Sequence, residues 1–360
     1  MNRDFWRGRK VFLTGHTGFK GSWLSLWLAD MGAEVTGYAL LPPTEPNLFT
    51  LTGLDGEMTS RVGDVGEAAL LREALTEAQP EVVFHLAAQP LVRESYREPA
   101  ETFATNVMGT VNLLEAIRAT GSVRAVVNVT TDKCYENREW VWSYRENEPL
   151  GGYDPYSASK ACSELVTVAY RNSFFHPSNY DSHHVAVATA RAGNVIGGGD
   201  WAADRLVPDC LRSLMANEPI KLRKPGAVRP WQHVLEPLGG YLLLAEKLTL
   251  SGAKYGEAWN FGPDEADART VEWLARALCD GWGGSARIEV QENSLLHEAG
   301  YLRLDTAKAR QLLEWKPRWT VGGALAKTVS WTKAWQAGED LRAVSLEQIR
   351  QYERAAAGCR

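Results

Sequence analysis

The sequence predicts an α/β fold, a doubly wound parallel sheet accompanied by a smaller, mostly helical lobe. Short runs rich in Val, Ile and Phe alternate with longer amphipathic stretches through the first half of the chain, which is the pattern of successive βα units. A glycine triplet directly follows the first apolar run and opens a helical pattern. The chain of 360 residues exceeds one ordinary domain, so a second lobe is expected.

The individual elements follow from the spacing of apolar residues. Strands are predicted at 10–15, 34–40, 61–65, 81–88, 125–131, 184–192 and 258–262. Helices are predicted at 21–31, 67–77, 99–120, 156–171, 270–280, 306–313 and 322–336, with a charged helical tail over 338–360. The first lobe is therefore expected to comprise residues 1–192 with a returning segment at about 232–262, and the second lobe residues 193–231 and 263–360.

Composition excludes several classes of function. A net charge of -5 and 45% hydrophobic residues describe a globular protein without a basic surface for nucleic acid or anionic membranes. The polar start and the lack of a long apolar run predict neither a signal peptide nor a membrane span, hence a cytoplasmic protein. The five cysteines are scattered and form no Cys/His cluster, so we expect reduced thiols and no metal.

The glycine triplet is the strongest local signal. Gly15, Gly18 and Gly21 connect the first strand to the first long helix, where glycine permits a tight turn and close approach to a pyrophosphate. This context predicts a Rossmann-type dinucleotide site. The second strand ends in Tyr38-Ala39-Leu40-Leu41, without the usual ribose-binding acid or an arginine for a 2′-phosphate, so NAD and NADP both remain open.

A second signal is Tyr156-Ser-Ala-Ser-Lys160. Residues four apart lie on one face of a helix, and a nearby cation favours the phenolate. Tyr156 is therefore predicted to act as a base near neutral pH.

Four motifs together resemble the extended short-chain dehydrogenase/reductase family: Gly15-x-x-Gly18-x-x-Gly21, Leu86-Ala87-Ala88-Gln89, Thr130-Thr131-Asp132 and Tyr156-x-x-x-Lys160. Longer stretches at 131–140, 151–156 and 191–201 resemble the nucleotide-sugar 4,6-dehydratases, most closely their CDP-glucose branch. The resemblance covers almost the whole chain. It implies a lyase that uses NAD to oxidise the sugar at C4, loses water across C5–C6 and returns the hydride to C6, as a step towards deoxysugars of cell-surface polysaccharide.

The resemblance also implies catalytic roles. Tyr156 would accept the C4 hydroxyl proton, Thr131 would hydrogen-bond that oxygen, and Lys160 would hold the phenolate charge and the nicotinamide ribose. The dTDP-glucose branch has an Asp-Glu pair after the threonine, whereas this chain has Asp132-Lys133. We expect Asp132 to protonate the C6 oxygen and Lys133 to remove the C5 proton; alternatively, Lys133 pairs with Asp132 or the substrate.

The NAD-binding residues of lobe 1–192 are expected to be Gly15, His16, Thr17, Gly18, Phe19, Lys20, Gly21, Asp64, Val65, Leu86, Ala87, Ala88, Gln89, Asn106, Thr130, Tyr156 and Lys160. Asp64 and Val65 are placed to meet the adenine, and His85 to support the nicotinamide site from below.

Substrate contacts are expected from the segment after the sixth strand and from the second lobe. Arg229 is the first candidate for the diphosphate, and Arg191 either joins it or forms a structural ion pair. The other candidates are Asn194, Trp201, Trp231 and Tyr301.

The family resemblance implies that the helices at 99–120 and 156–171 pair across a homodimer or homotetramer interface. Two alternatives to a dehydratase remain open, an NAD-dependent nucleotide-sugar epimerase and a non-catalytic NAD-binding scaffold. The Asp132-Lys133 pair argues against the epimerase, and the intact Thr131, Tyr156 and Lys160 argue against the scaffold.

Overall fold

The computed structural model describes residues 2–283, 287–290 and 300–357. Cys359 and the end of the predicted tail lie outside these residues. The strands are β1 (Lys10–Thr14), β2 (Glu34–Ala39), β3 (Thr59–Val62), β4 (Val82–His85), β5 (Ala125–Val129), β6 (Ala186–Ala192), β7 (Val195–Ile196), β8 (Ile220–Leu222), β9 (Val228–Pro230), β10 (Gln232–His233), β11 (Ala258–Phe261), β12 (Ala268–Thr270) and β13 (Ile288–Val290).

The helices are α1 (Arg3–Trp6), α2 (Phe19–Asp30), α3 (Leu48–Leu51), α4 (Ala68–Ala78), α5 (Val92–Arg97), α6 (Pro99–Phe103), α7 (Gly109–Arg118), α8 (Pro155–Ser173), α9 (Tyr180–His183), α10 (Leu206–Ala216), α11 (Leu235–Ser251), α12 (Val271–Trp282), α13 (Ala307–Leu312), α14 (Val321–Gln336) and α15 (Leu341–Ala357). No helix in the described ranges is long and apolar enough to cross a membrane.

Seven of these strands form a parallel sheet in the order β11-β6-β5-β4-β1-β2-β3. Each corresponds to one of the predicted strands, which confirms the α/β prediction. Every residue of β4, β5 and β6 is buried, as expected where helices cover both faces of a sheet.

Side chains alternate between the two faces of the sheet. Val11 and Leu13 of β1 pack in the core with α2, α11 and α15, whereas Phe12 packs in the core with α4 and α7. No helix was predicted where α11 lies. Its sequence contains Pro237 and two glycines, and it is apolar on nearly all sides, which removes the amphipathic period that predicts a helix.

The helix predicted over 99–120 is interrupted. A π-helical turn at Ala104–Met108 separates α6 from α7. Inside this turn the side chain of Asn106 forms hydrogen bonds with the loop after β4 and with helix α8. These contacts determine the local backbone conformation.

The second lobe has a core of its own, formed by α10, α12, one face of α14 and short strand pairs. Helix α15, which the sequence analysis placed with this lobe, packs instead against the sheet lobe. Ile349 and Tyr352 are buried in the core beside α2, and Glu353 accepts a hydrogen bond from the Trp27 indole. The apolar face of this charged helix explains its position.

Candidate active site

A cleft of about 1950 Å³ lies along the carboxyl ends of the parallel strands and extends to the second lobe. It includes the point between β1 and β4 where the strand order reverses, which is where open parallel sheets bind ligands. Ligand pockets commonly measure about 300–1,000 Å³, so this cleft has room for a dinucleotide and a second ligand.

The glycine triplet forms the turn between β1 and α2. Gly15 has a φ of +78°, and a Cβ there would lie 2.7 Å from the backbone nitrogen of Ala87. A Cβ on Gly21 would lie 2.0 Å from the Gly15 carbonyl oxygen, so this packing requires glycine. Gly18 precedes α2 and lines the cleft. The turn leaves space for a pyrophosphate at the N-terminus of α2, and the residues therefore fit NAD.

Most of the predicted cofactor residues line this part of the cleft. They are Gly15, Thr17, Gly18, Phe19, Lys20, Gly21, Asp64, Val65, Leu86, Ala87, Ala88, Thr130, Tyr156 and Lys160. The lining residues that follow Tyr38 at the end of β2 are the uncharged Ala39, Leu40 and Leu41. These three side chains do not discriminate between a 2′-hydroxyl and a 2′-phosphate by charge.

Three predicted cofactor residues, His16, Gln89 and Asn106, are absent from the described residues that line the cleft, and their contact with NAD stays a prediction. His16 Nε2 lies 2.7 Å from the Ser60 hydroxyl, and its ring is buried. The Gln89 backbone N–H donates to Asn106 Oδ1 over 2.9 Å, and Asn106 Nδ2 donates to the Ser159 hydroxyl over 2.8 Å. The hydrogen bonds of Gln89 and Asn106 connect the loop after β4 to the π-helical turn and to α8.

The end of β5 and the start of α8 bring three predicted catalytic residues together. Thr131 Oγ1 donates to Asp132 Oδ1 over 3.0 Å and also lies within hydrogen-bonding reach of the Tyr156 phenol. Asp154 caps α8 by accepting hydrogen bonds from the N–H and hydroxyl of Ser157, which places Tyr156 in the first turn.

Burial controls the proton affinities here. It raises the pKa of Tyr156 to about 12, although Thr131 and Arg205 act in the opposite direction. The sequence predicted a base near neutrality, but desolvation outweighs the cations in the chain alone. Burial also raises the pKa of Asp132 above its usual value. Its Oδ2 is buried and has no hydrogen-bond partner within the described part of the chain.

The two predicted catalytic lysines also line the cleft. Lys160 Nζ donates to the Val129 carbonyl oxygen over 3.3 Å. Burial lowers the pKa of Lys160 to about 8, while Glu164 raises it. Lys133 lies close enough to Asp132 for its charge to lower the pKa of that carboxyl. The five predicted catalytic residues therefore share one region.

Arg205 is a cleft residue that the sequence analysis missed. Its Nη1 donates to Asp200 Oδ2 over 2.9 Å, and the Asp200 side chain is only 6% exposed. Lys20 points to the same region, and burial lowers its pKa to about 7, with Arg205 and Lys160 lowering it further. Arg205 could not be predicted because it lies after the motif that ends at Trp201, in a segment whose apolar residues show no helical or strand period.

Arg191 forms the structural ion pair that was one of its two predicted roles. Its Nε and Nη2 donate to the Glu164 carboxylate over 3.0 and 2.8 Å, and its Nη1 donates to the Tyr135 hydroxyl over 2.8 Å. The two charged side chains are 3% and 0% exposed, and Arg191 does not line the cleft. This geometry contradicts substrate contact by Arg191.

We expect Arg191→Met to lower the free energy of unfolding by about 3–5 kcal/mol, because Glu164 would remain as a buried, unpaired charge. Urea unfolding measures this. The control is Arg61→Met, which removes the exposed ion pair with Glu77 and should cost at most about 1 kcal/mol. Unchanged stability with a raised KM would instead indicate that Arg191 contacts substrate.

Four other predicted substrate residues, Asn194, Trp201, Arg229 and Trp231, line the cleft. Arg229 lies near Asp132, since its charge lowers the pKa of that carboxyl. The Trp231 ring is only 4% exposed, and its indole N–H donates to a backbone carbonyl, so it belongs largely to the core of the second lobe.

The ring of Trp201 contacts Trp331 and Trp335 of α14. Tyr301 is absent from the described residues that line the cleft, and its ring packs against the Arg303 guanidinium at 4.8 Å; its contact with the substrate stays a prediction. His85 Nδ1 lies 2.7 Å from the Thr14 hydroxyl and joins β4 to β1.

Within the described ranges no group of His, Cys, Asp and Glu side chains could hold a metal ion.

Curated relatives of this chain include nucleotide-sugar 4,6-dehydratases. The CDP-glucose 4,6-dehydratase of Salmonella typhimurium strain LT2 is 55% identical over 352 residues, covering 98% of each chain. A dTDP-glucose 4,6-dehydratase of Xanthomonas campestris pv. campestris is 28% identical and covers 94% of this chain and 97% of its own.

Solved structures show the same fold. DesIV, a dTDP-glucose 4,6-dehydratase from Streptomyces venezuelae with NAD and TYD bound, has a TM-score of 0.78 at 26% identity, covering 92% of this chain and 99% of its own. The UDP-glucose 4-epimerase of Thermotoga maritima has a TM-score of 0.79 at 23% identity, covering 91% and 99%. The model of the family described as GDP-mannose 4,6 dehydratase matches residues 12–328. This chain belongs to that family.

Proposed function

We propose that this protein is a lyase that converts CDP-glucose to CDP-4-dehydro-6-deoxyglucose with bound NAD. The observation that carries the proposal is the 55% identity, over nearly the whole chain, to the CDP-glucose 4,6-dehydratase of Salmonella typhimurium. The NAD-bound DesIV dehydratase, which has the same fold, supports the cofactor. The product would feed deoxysugar synthesis.

An epimerase is the second candidate, favoured by the similarity to UDP-glucose 4-epimerase. At 23% identity that similarity concerns the fold alone. The cleft also contains Asp132 and Lys133, an acid and an amine that an epimerase reaction at C4 does not require.

Tyr156, Thr131 and Lys160 carry out the oxidation at C4. Tyr156 accepts the proton of the C4 hydroxyl, Thr131 hydrogen-bonds the same oxygen, and Lys160 stabilises the phenolate. NAD, when bound, supplies the hydride acceptor for C4 and donor for C6, and its oxidised ring adds the positive charge that favours the phenolate.

Asp132 and Lys133, the two residues after Thr131, carry out the loss of water. Oxidation at C4 makes the C5 proton acidic, and Lys133 removes it. Asp132 gives its proton to the departing C6 hydroxyl, so the elements of one water leave. Burial favours the role of Asp132, because it stabilises the neutral form of the acid. Arg229 contacts the diphosphate, with Asn194 and Trp201 beside it.

The direct test is incubation with CDP-glucose, with and without added NAD. A sugar nucleotide lighter by one water, without net reduced cofactor, is the expected product by mass spectrometry. An isomer of unchanged mass would identify an epimerase, and no change would favour a scaffold.

Asp132→Asn should reduce the kcat of dehydration by about 10²–10⁴-fold, because the amide cannot protonate the leaving hydroxyl. In the wild type, activity should fall as the pH rises through the raised pKa of Asp132, and the variant should lack this decline. Exchange of the C5 proton with deuterium should persist, since Lys133 is intact. A pH profile with an isotope-exchange assay checks both points, and loss of exchange would contradict the division of roles.

We further propose a homodimer or homotetramer in the cytoplasm, assembled through the faces of α6 and α8. Phe103, Met108 and Leu165 support the assembly because they are large apolar residues exposed on these helices and the turn between α6 and α7. The four described cysteines are unpaired, which agrees with a reducing compartment.

A further inference from the structure

Glu164 lies beneath the catalytic residues and has no part in the chemistry proposed above. It follows Tyr156 and Lys160 at intervals of four residues on α8, so the three side chains share one face of the helix. It is fully buried, with an exposed fraction of 0%.

Every hydrogen bond of the Glu164 carboxylate has a buried donor. Thr130 donates to Oε1, Thr189 donates to Oε2 over 2.7 Å, and Arg191 donates to both oxygens. Thr130 immediately precedes Thr131 and Asp132. The carboxylate therefore joins α8 to the end of β5, where the catalytic threonine and acid begin.

Glu164 is ionised at this position. Burial alone would raise its pKa, but Arg191 and the two threonine hydroxyls lower it below the usual value. The resulting buried anion acts at low dielectric, where its effect on a neighbouring amine is large.

The surroundings of Lys160 contain several other titratable groups. Those that interact with it electrostatically in the described part of the chain are Lys20 of α2, His85 of β4, Cys134 after β5 and Glu164. Burial lowers the pKa of His85 to about 3 and raises that of the Cys134 thiol, so both are neutral at physiological pH. Lys20, when charged, repels Lys160. Glu164 is therefore the group in this set that favours the charged amine.

We propose that Glu164, locked by Arg191, is a positioning residue of this active site: its carboxylate keeps Lys160 protonated and anchors the strand end that carries Thr131 and Asp132. The inference rests on the role of Lys160 in the proposed function. Its test measures the protonation of Lys160 without substrate or cofactor, so it can fail independently of that function.

Competitive acetylation over a pH series, followed by peptide mass spectrometry, reports the fraction of neutral Lys160. In Glu164→Gln the titration midpoint of Lys160 should fall by about one pH unit or more. In Glu164→Asp, which keeps the charge, it should stay near the wild-type value. The exposed Lys10 in the same samples is the internal control and should not change.

The double variant Glu164→Gln/Arg191→Met controls for destabilisation by an unpaired buried charge, because it removes both charges of the ion pair. Its Lys160 midpoint should also fall, and the alkaline limb of its kcat profile should move down by the same amount with KM little changed. A purely structural role would alter unfolding but leave the midpoint in place. A wild-type midpoint in either folded variant would overturn the proposal.

Discussion

Replacing Lys133 by methionine is expected to stop the loss of water while leaving oxidation at C4 intact. The variant has no group to remove the C5 proton, so the kcat of dehydration should fall by about 10²–10⁴-fold. Tyr156 and Lys160 remain in place beside Thr131. Addition of CDP-glucose should therefore raise the reduced-nicotinamide absorbance, and the signal should persist. In deuterated solvent, mass spectrometry should find no exchange at C5.

The control variant Lys133→Arg distinguishes a catalytic base from a residue that only pairs with Asp132 or the substrate. Arginine keeps a positive charge near Asp132 but does not lose its proton, because its pKa lies above about 12. If Lys133 only pairs with Asp132 or with the substrate, the arginine variant should retain much of the activity. If Lys133 is the base, both variants should lack C5 exchange. Exchange at the wild-type rate in either variant would contradict the assignment.

Tyr156→Phe should block the reaction one step earlier. Without the phenol nothing at this position accepts the C4 hydroxyl proton, so kcat should fall by about 10²–10⁴-fold and the reduced-nicotinamide absorbance should not rise. Because the active form is the deprotonated phenol, hydride transfer in the wild type should increase with pH. Stopped-flow absorbance over a pH series measures both effects. A normal rise in absorbance in the variant would show that another group takes the proton.

The matched control is Tyr170→Phe, which removes a hydroxyl from the same helix. Tyr170 stands near the other end of α8, about 20 Å along the axis from Tyr156, and packs beside the core that includes α4 and α7. Its variant should oxidise and dehydrate the substrate at nearly the wild-type rate. A large loss of activity there would mean that the Tyr156 effect arises from the helix rather than from the phenol.

The main elements of the fold were predictable because they leave local patterns. Strands buried on both faces give runs in which apolar residues predominate, as in β4, β5 and β6. The turn at Gly15 and Gly21 was predictable for the same reason, since backbone geometry there admits glycine alone. Helix α11 was not predictable in this way, because a helix buried on nearly all sides has no polar face.

Side-chain roles proved harder to predict than elements. Arg191 follows the motif pattern of a cleft residue, yet its guanidinium binds Glu164, which lies 27 residues earlier in the sequence. Arg205 was missed because its position depends on Asp200 and on the start of α10. Asn106 and Gln89 bond each other rather than line the cleft.

The sequence by itself determined the α/β class, the dinucleotide turn and the pairing of Tyr156 with Lys160, because each depends on residue types at short, regular spacing. Thr131, Asp132 and Lys133 were implied by the family resemblance. Only the tertiary structure decided which polar groups face the cleft and how burial changes their pKa values. The spacing of Tyr156 and Lys160 predicts that they meet, but not that burial raises the pKa of the first to about 12 and lowers that of the second to about 8. Desolvation and charge pairing arise from segments distant in sequence that become neighbours only when the chain folds.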